Sequence, residues 1–102
     1  MAELRVSKKA EDDLDAIAAF IAERDGAARA KAAIERTRKT MRNLALMPGI
    51  GRSRNYLDEG LRAYPVAPWT IYYAPLPDGD GIEAIRIVDR RRDLVSIFRR
   101  DQ

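Results

Sequence analysis

The stretch GIEAIRIVDRRRDL, residues 81–94, decides how the rest of the chain is read. Its first half is rich in β-branched residues, which suit a strand, and it runs directly into Arg90, Arg91 and Arg92. Guanidinium is always charged and binds carboxylate or phosphate bidentately, so a strand ending this way is expected to grip an acidic partner. On strict alternation Glu83, Ile85, Ile87 and Asp89 point to one side, and Ile82, Ala84, Arg86, Val88 and Arg90 to the other. Apolar groups on both sides predict one face packed on helices and a second face partly covered or open to a partner.

Two further strands precede it. Residues 61–66 alternate Leu61 and Ala63 against Arg62 and Tyr64, and residues 69–74 are aromatic and β-branched. Pro65 and Pro68 bracket the first connection, and Pro77-Asp78-Gly79-Asp80-Gly81 forms the second, both of hairpin length. The three runs predict an antiparallel meander. Beyond it, Leu94, Ile97 and Phe98 suggest a short C-terminal helix capped by Asp93.

Upstream, the period changes from two to about 3.6. Residues 3–6 alternate and feed Ser7, a helix N-cap candidate. A helix is predicted over 8–24, with Ala10, Leu14, Ile17 and Ile21 on one face. Asp25-Gly26 interrupts the pattern. A second helix is predicted over 27–46, with Ala27, Ala30, Ile34, Thr37, Met41 and Leu44 in register. So short a connection implies an antiparallel helical hairpin. Met47-Pro48-Gly49-Ile50-Gly51 ends it, because proline and two glycines do not continue a helix, and a loop follows to Gly60. The expected fold is α+β: a strand, a helical hairpin, a three-strand meander and a short terminal helix, all in one domain over 1–102.

Composition removes several classes of function. With 46% hydrophobic and 34% charged residues, the 102-residue chain is globular rather than disordered. It has no cysteine and no histidine, which excludes disulfides, thiol nucleophiles, Cys/His zinc sites and imidazole acid–base catalysis. No cofactor is expected. No apolar run reaches membrane-span length and MAELRVSKK lacks a signal-peptide core, so a cytoplasmic protein is expected. GIGRSR lacks P-loop spacing and its lysine, while Asp12-Asp13 and Asp78-Asp80 read as a helix face and a turn.

Positive charge is the remaining signal. The net charge is +3, and two arginine groups stand out: Arg52, Arg54 and Arg62, and Arg86, Arg90, Arg91 and Arg92. Adjacent antiparallel strands could join them on one surface with Phe98 nearby. The plain alternative is a solvated rim paired with Asp58, Glu59, Asp89 and Asp93. Tyr56, Tyr64, Trp69, Tyr72, Tyr73 and Phe98 lie close enough in sequence to stack on bases, although strand aromatics are mostly core.

The order of several phrases resembles the ParE branch of the RelE/ParE toxin superfamily. They are Ser7, Ala10, Asp13-Leu14, Ile17 and Ile21-Ala22; Leu44-Ala45, Pro48 and Gly51-Arg52; Gly60-Leu61-Arg62; Ile71-Tyr72-Tyr73; and Ile85-Arg86-Ile87-Val88 with Arg91-Arg92-Asp93-Leu94. The resemblance implies the toxin of a type II toxin–antitoxin module, neutralised in a hetero-oligomer by a ParD-like antitoxin whose flexible C-terminal segment wraps the toxin. It implies DNA gyrase as target and no catalysis. The other branch contains ribosome-dependent mRNA endonucleases, and that reading stays open as an alternative, as does a small basic nucleic-acid-binding domain. Two departures weigh against the nuclease: Asp89-Arg90 stands where many relatives have His-Gly, and no tyrosine follows Tyr73.

Overall fold

The computed structural model describes residues 2–89 and Phe98. Strand β1 (Glu3–Val6) leads through Ser7 into helix α1 (Lys8–Asp25). The Ser7 hydroxyl accepts the Ala10 N–H at 3.0 Å, as an N-cap does, and donates to the Ile85 carbonyl at 2.8 Å. One side chain thus starts the helix and ties it to the sheet. Gly26, at φ 95°, is the whole link to helix α2 (Ala27–Leu46), a left-handed backbone that glycine adopts without a Cβ penalty. Arg38, in the second half of α2, donates to Glu11, near the start of α1, at 2.8 Å. Only antiparallel helices bring those positions together.

A 3₁₀ turn (Pro48–Ile50) leaves α2 and enters a two-residue strand, β2 (Arg52–Ser53). Strands β3 (Arg62–Val66), β4 (Trp69–Pro75) and β5 (Gly81–Asp89) then form the expected meander. The sheet runs β1-β5-β4-β3-β2, with β1 parallel to β5 and the other pairs antiparallel. The loop expected between Met47 and Gly60 therefore holds an edge strand, too short for a periodicity to reveal. Phe98 is helical; the rest of the C-terminal helix expected from the sequence lies outside the described residues.

Helices cover one face of the sheet. Ala10, Leu14 and Ile17 of α1 and Met41, Leu44 and Ala45 of α2 pack with Val66, Ile71, Tyr73, Ile82, Ala84 and Ile87. On the opposite face Leu57, Leu61, Ala63, Tyr72, Val88 and Phe98 form a smaller cluster, flanked by Ile85. The second face is thus partly covered, by the loop before β3 and by Phe98. Strict alternation along β5 does not hold. Tyr73 pairs with Ala84 but Tyr72 pairs with Arg86, so Ile85 is an extra residue in the ladder. This bulge moves Ile87 to the helix side and puts Val88 with Ile85 on the other.

Candidate functional site

Three surfaces of this scaffold carry chemistry. The first lies where β1 stops. Beyond Val6 the outer edge of β5 has no strand neighbour among the described residues, and α1 takes over its hydrogen bonding. Asp13 Oδ2 accepts the Ile87 N–H at 2.9 Å and the Arg86 Nε–H at 2.8 Å, and Oδ1 accepts from Arg86 Nη2 at 3.1 Å. Both side chains are mostly buried, at 14% and 16% exposure. Such a bidentate pair neutralises Arg86 and locks α1 to the strand end from which the arginine triplet departs. In the sequence Asp13 is placed on a helix face and in the Asp13-Leu14 phrase, but its pairing role is not legible there, because its partners lie 73 and 74 residues away.

The second surface is built on the row Arg52, Ala63, Tyr72 that the register lays across β2, β3 and β4; Arg86 continues the row on β5, but its side chain is held by Asp13 of α1. The register puts Arg52 beside Ala63, and Arg54 acts electrostatically on the Tyr72 phenol, so these two arginines share the face away from the helices. Arg62 does not join them. It pairs with Tyr73 on the helix side and donates to the carbonyls of Gly51 at 2.6 Å and Gly49 at 3.3 Å. Arg90, Arg91 and Arg92, and Asp93 with them, lie outside the described residues. Phe98 is 3% exposed, its ring edge-on to Tyr72 at 5.0 Å. It packs in the core where surface contact was expected, since an apolar ring beside Tyr72 is better kept from water.

Burial pushes the Tyr72 phenol above its ordinary value, against the pull of Arg54. The same cause raises Tyr73, while the Gly51 N–H and Arg62 pull it back. The Tyr73 hydroxyl accepts the Gly51 N–H at 2.9 Å and donates to the Pro48 carbonyl at 2.7 Å. A Cβ on Gly51 would overlap that ring, so glycine is required there for space, not for φ. No group of three or more His, Cys, Asp or Glu among the described residues could hold a metal ion.

The third surface is a groove of about 960 Å³ between the helical hairpin and the start of β4. Trp69, Ile87 and Val88 line it from the sheet, and Ile17, Phe20 and Ile21 from α1. It stays open because Ala16, Ala32 and Ala33 supply only methyl groups where larger side chains would have filled it. Phe20 is 51% exposed, with the Arg24 guanidinium 5.2 Å from its ring centre. Arg24, Arg29 and Arg36 stand on the rim with Asp13, Asp25 and Asp89. Sequence reading missed this groove, although the alanine positions on both helices were its signal.

An apolar groove whose rim holds three arginines and three aspartates, on a sheet that carries Arg52 at its β2 edge, has the features of a protein-binding surface. The family model for the ParE toxin of type II toxin–antitoxin system, parDE, matches residues 4–94. The chain therefore belongs to the ParE toxin family. It is similar to Toxin ParE3 of Caulobacter vibrioides (strain ATCC 19089 / CIP 103742 / CB 15), at 32% identity over 84 residues, covering 82% of each chain. A solved structure of a chromosomal ParDE TA system from P. aeruginosa superposes with a TM-score of 0.71 at 24% identity, over 87% of this chain and 96% of that one. That likeness speaks for the fold.

Proposed function

We propose that this chain is the toxin of a toxin–antitoxin pair, that it inhibits DNA gyrase by binding rather than by catalysis, and that a ParD-like antitoxin neutralises it in a hetero-oligomer. The observation that carries the binding reading is the Asp13–Arg86 pair. A nuclease would want the cation in mid-sheet free to meet a scissile phosphate, whereas Arg86 is bidentate to a carboxylate. In the sequence, Asp89-Arg90 stands where many relatives have His-Gly, which also weighs against cleavage. The groove suits the antitoxin: an amphipathic segment could lay apolar residues over Trp69 and Ile17 and carboxylates against Arg24, Arg29 and Arg36.

The experiment is gyrase supercoiling with purified toxin. Inhibition that the antitoxin reverses is expected, and normal supercoiling at saturating toxin would remove the gyrase reading. Cleavage of message on translating ribosomes would replace it with the nuclease reading. For the groove, Phe20→Asp is the direct variant, since Phe20 is half exposed and lies outside the buried core. Antitoxin affinity should fall at least about tenfold, as for a lost apolar anchor; unchanged affinity would place the antitoxin elsewhere.

A further inference from the structure

Five large hydrophobic residues are exposed among the described residues, and four of them, Leu46, Met47, Ile50 and Tyr56, fall within eleven positions at the end of α2 and the loop after it. Exposures of 70%, 58% and 46% for Leu46, Met47 and Ile50 are far from the core pattern that both helices otherwise keep. Scattered exposed hydrophobics are ordinary; a run of them marks an interaction surface.

The turn that displays them is held rigidly from beneath. Tyr73 is fully buried and bonds both ends of the turn, at Pro48 and Gly51, while Arg62 holds the carbonyls of Gly49 and Gly51. A partner binding here would not have to order the backbone, which is what makes a small apolar patch an effective anchor.

The charge along this stretch is mainly positive, although Arg38 is paired with Glu11 and the stretch is flanked by Glu35, Asp58 and Glu59. From residue 36 to residue 57 the chain has six cations, Arg36, Arg38, Lys39, Arg42, Arg52 and Arg54, and no carboxylate. Arg42 lies one helical turn before Leu46, and Arg52 follows the turn directly. A second copy of the chain would bring like charges together, which disfavours self-association. Bare phosphate would leave the apolar side chains in water. An acidic protein segment with apolar anchors satisfies both features.

We infer that the turn leaving α2 is a second docking surface, distinct from the groove, for an acidic, apolar-anchored segment of the toxin's target protein. The inference rests on the gyrase reading for the identity of that target. The two surfaces are separable: Arg36, at the near end of the groove, lies ten residues before Leu46, about 15 Å along the helix axis.

The test uses the full chain with Met47→Ser/Ile50→Ser, uncharged changes to which a phosphate site would be indifferent, and with Leu46→Ser alone in case the double variant unfolds. Gyrase supercoiling, antitoxin titration and thermal unfolding are read together. At least about tenfold more variant should be needed for half-inhibition, with antitoxin affinity within about threefold of the parent. Undiminished inhibition by folded variants overturns the inference while leaving the gyrase reading intact. An equal loss of antitoxin affinity also overturns it, by assigning the turn to the antitoxin. Duplex DNA binding that Arg52→Ala abolishes, with the serine variants fully inhibitory, overturns it in favour of a nucleic-acid contact. Parent toxin that leaves gyrase unaffected defeats the gyrase reading first, and the target assignment with it.

Discussion

Asp13 is the residue on which most of the candidate site turns. It balances the charge of Arg86 and accepts the N–H of Ile87, so its loss removes a bidentate acceptor from a mostly buried guanidinium and the acceptor of a backbone donor. Asp13→Ala is expected to cost about 3 kcal/mol, measured by urea unfolding. Asp13→Asn, which can still accept the Ile87 N–H, should cost less. Tyr73→Phe should cost about 1–2 kcal/mol, because the Pro48 carbonyl and Gly51 N–H then lose their partner. The tyrosines also set an alkaline limit. Burial raises Tyr72 and Tyr73, so the folded state holds their protons at pH values where the unfolded chain has released them. Their contribution is complete below the ordinary phenol value of about 10 and is lost as pH rises through the raised values. Unfolding followed from pH 8 to 12 should show stability falling above about pH 10, less steeply in Tyr72→Phe.

At the level of elements, the joint between β1, α1 and β5 bears the most consequence. Ser7→Ala removes both the cap of α1 and its bond to Ile85, and about 1–2 kcal/mol of stability should go with it in chemical denaturation. Gly81, at φ 128°, opens β5 against Glu3, and a Cβ there would overlap the Glu3 backbone. Gly81→Ala should therefore loosen β1 and expose its amides to hydrogen exchange, whereas Gly49→Ala, with open space around it, should not. Both helices were legible from periodicity, since Leu14, Ile17, Met41 and Leu44 recur on one face and are buried as read. The three meander strands were legible too, from turn residues. The bulge at Ile85 was not, because alternation assumes an unbroken ladder, and one inserted residue reverses every face after it. β2 escaped for the opposite reason, two residues having no period.

Over the whole molecule, charge and shape divide the labour. The hairpin covers one face of the sheet, the loop before β3 and Phe98 cover part of the other, and the groove and the apolar turn are exposed. On the proposed function, an antitoxin seated in the groove would bind only the folded chain, so at 100 times its dissociation constant it should stabilise the toxin by about 2.7 kcal/mol, seen as a rise in Tm with antitoxin concentration. The net charge of +3 predicts that association with an acidic segment slows as salt is raised, measurable by stopped flow between low and physiological ionic strength. By itself the sequence determined the class of fold, the order of elements and the concentration of cations near β2 and at the end of β5, because periodicity, turn chemistry and composition are local properties. Only the tertiary structure decided which arginines act together: it drew Arg86 onto Asp13, turned Arg62 beneath the Pro48–Ile50 turn, and left Arg52 and Arg54 on the far face. That partition depends on contacts between residues far apart in the chain and on one bulge in one strand, and neither leaves a local trace.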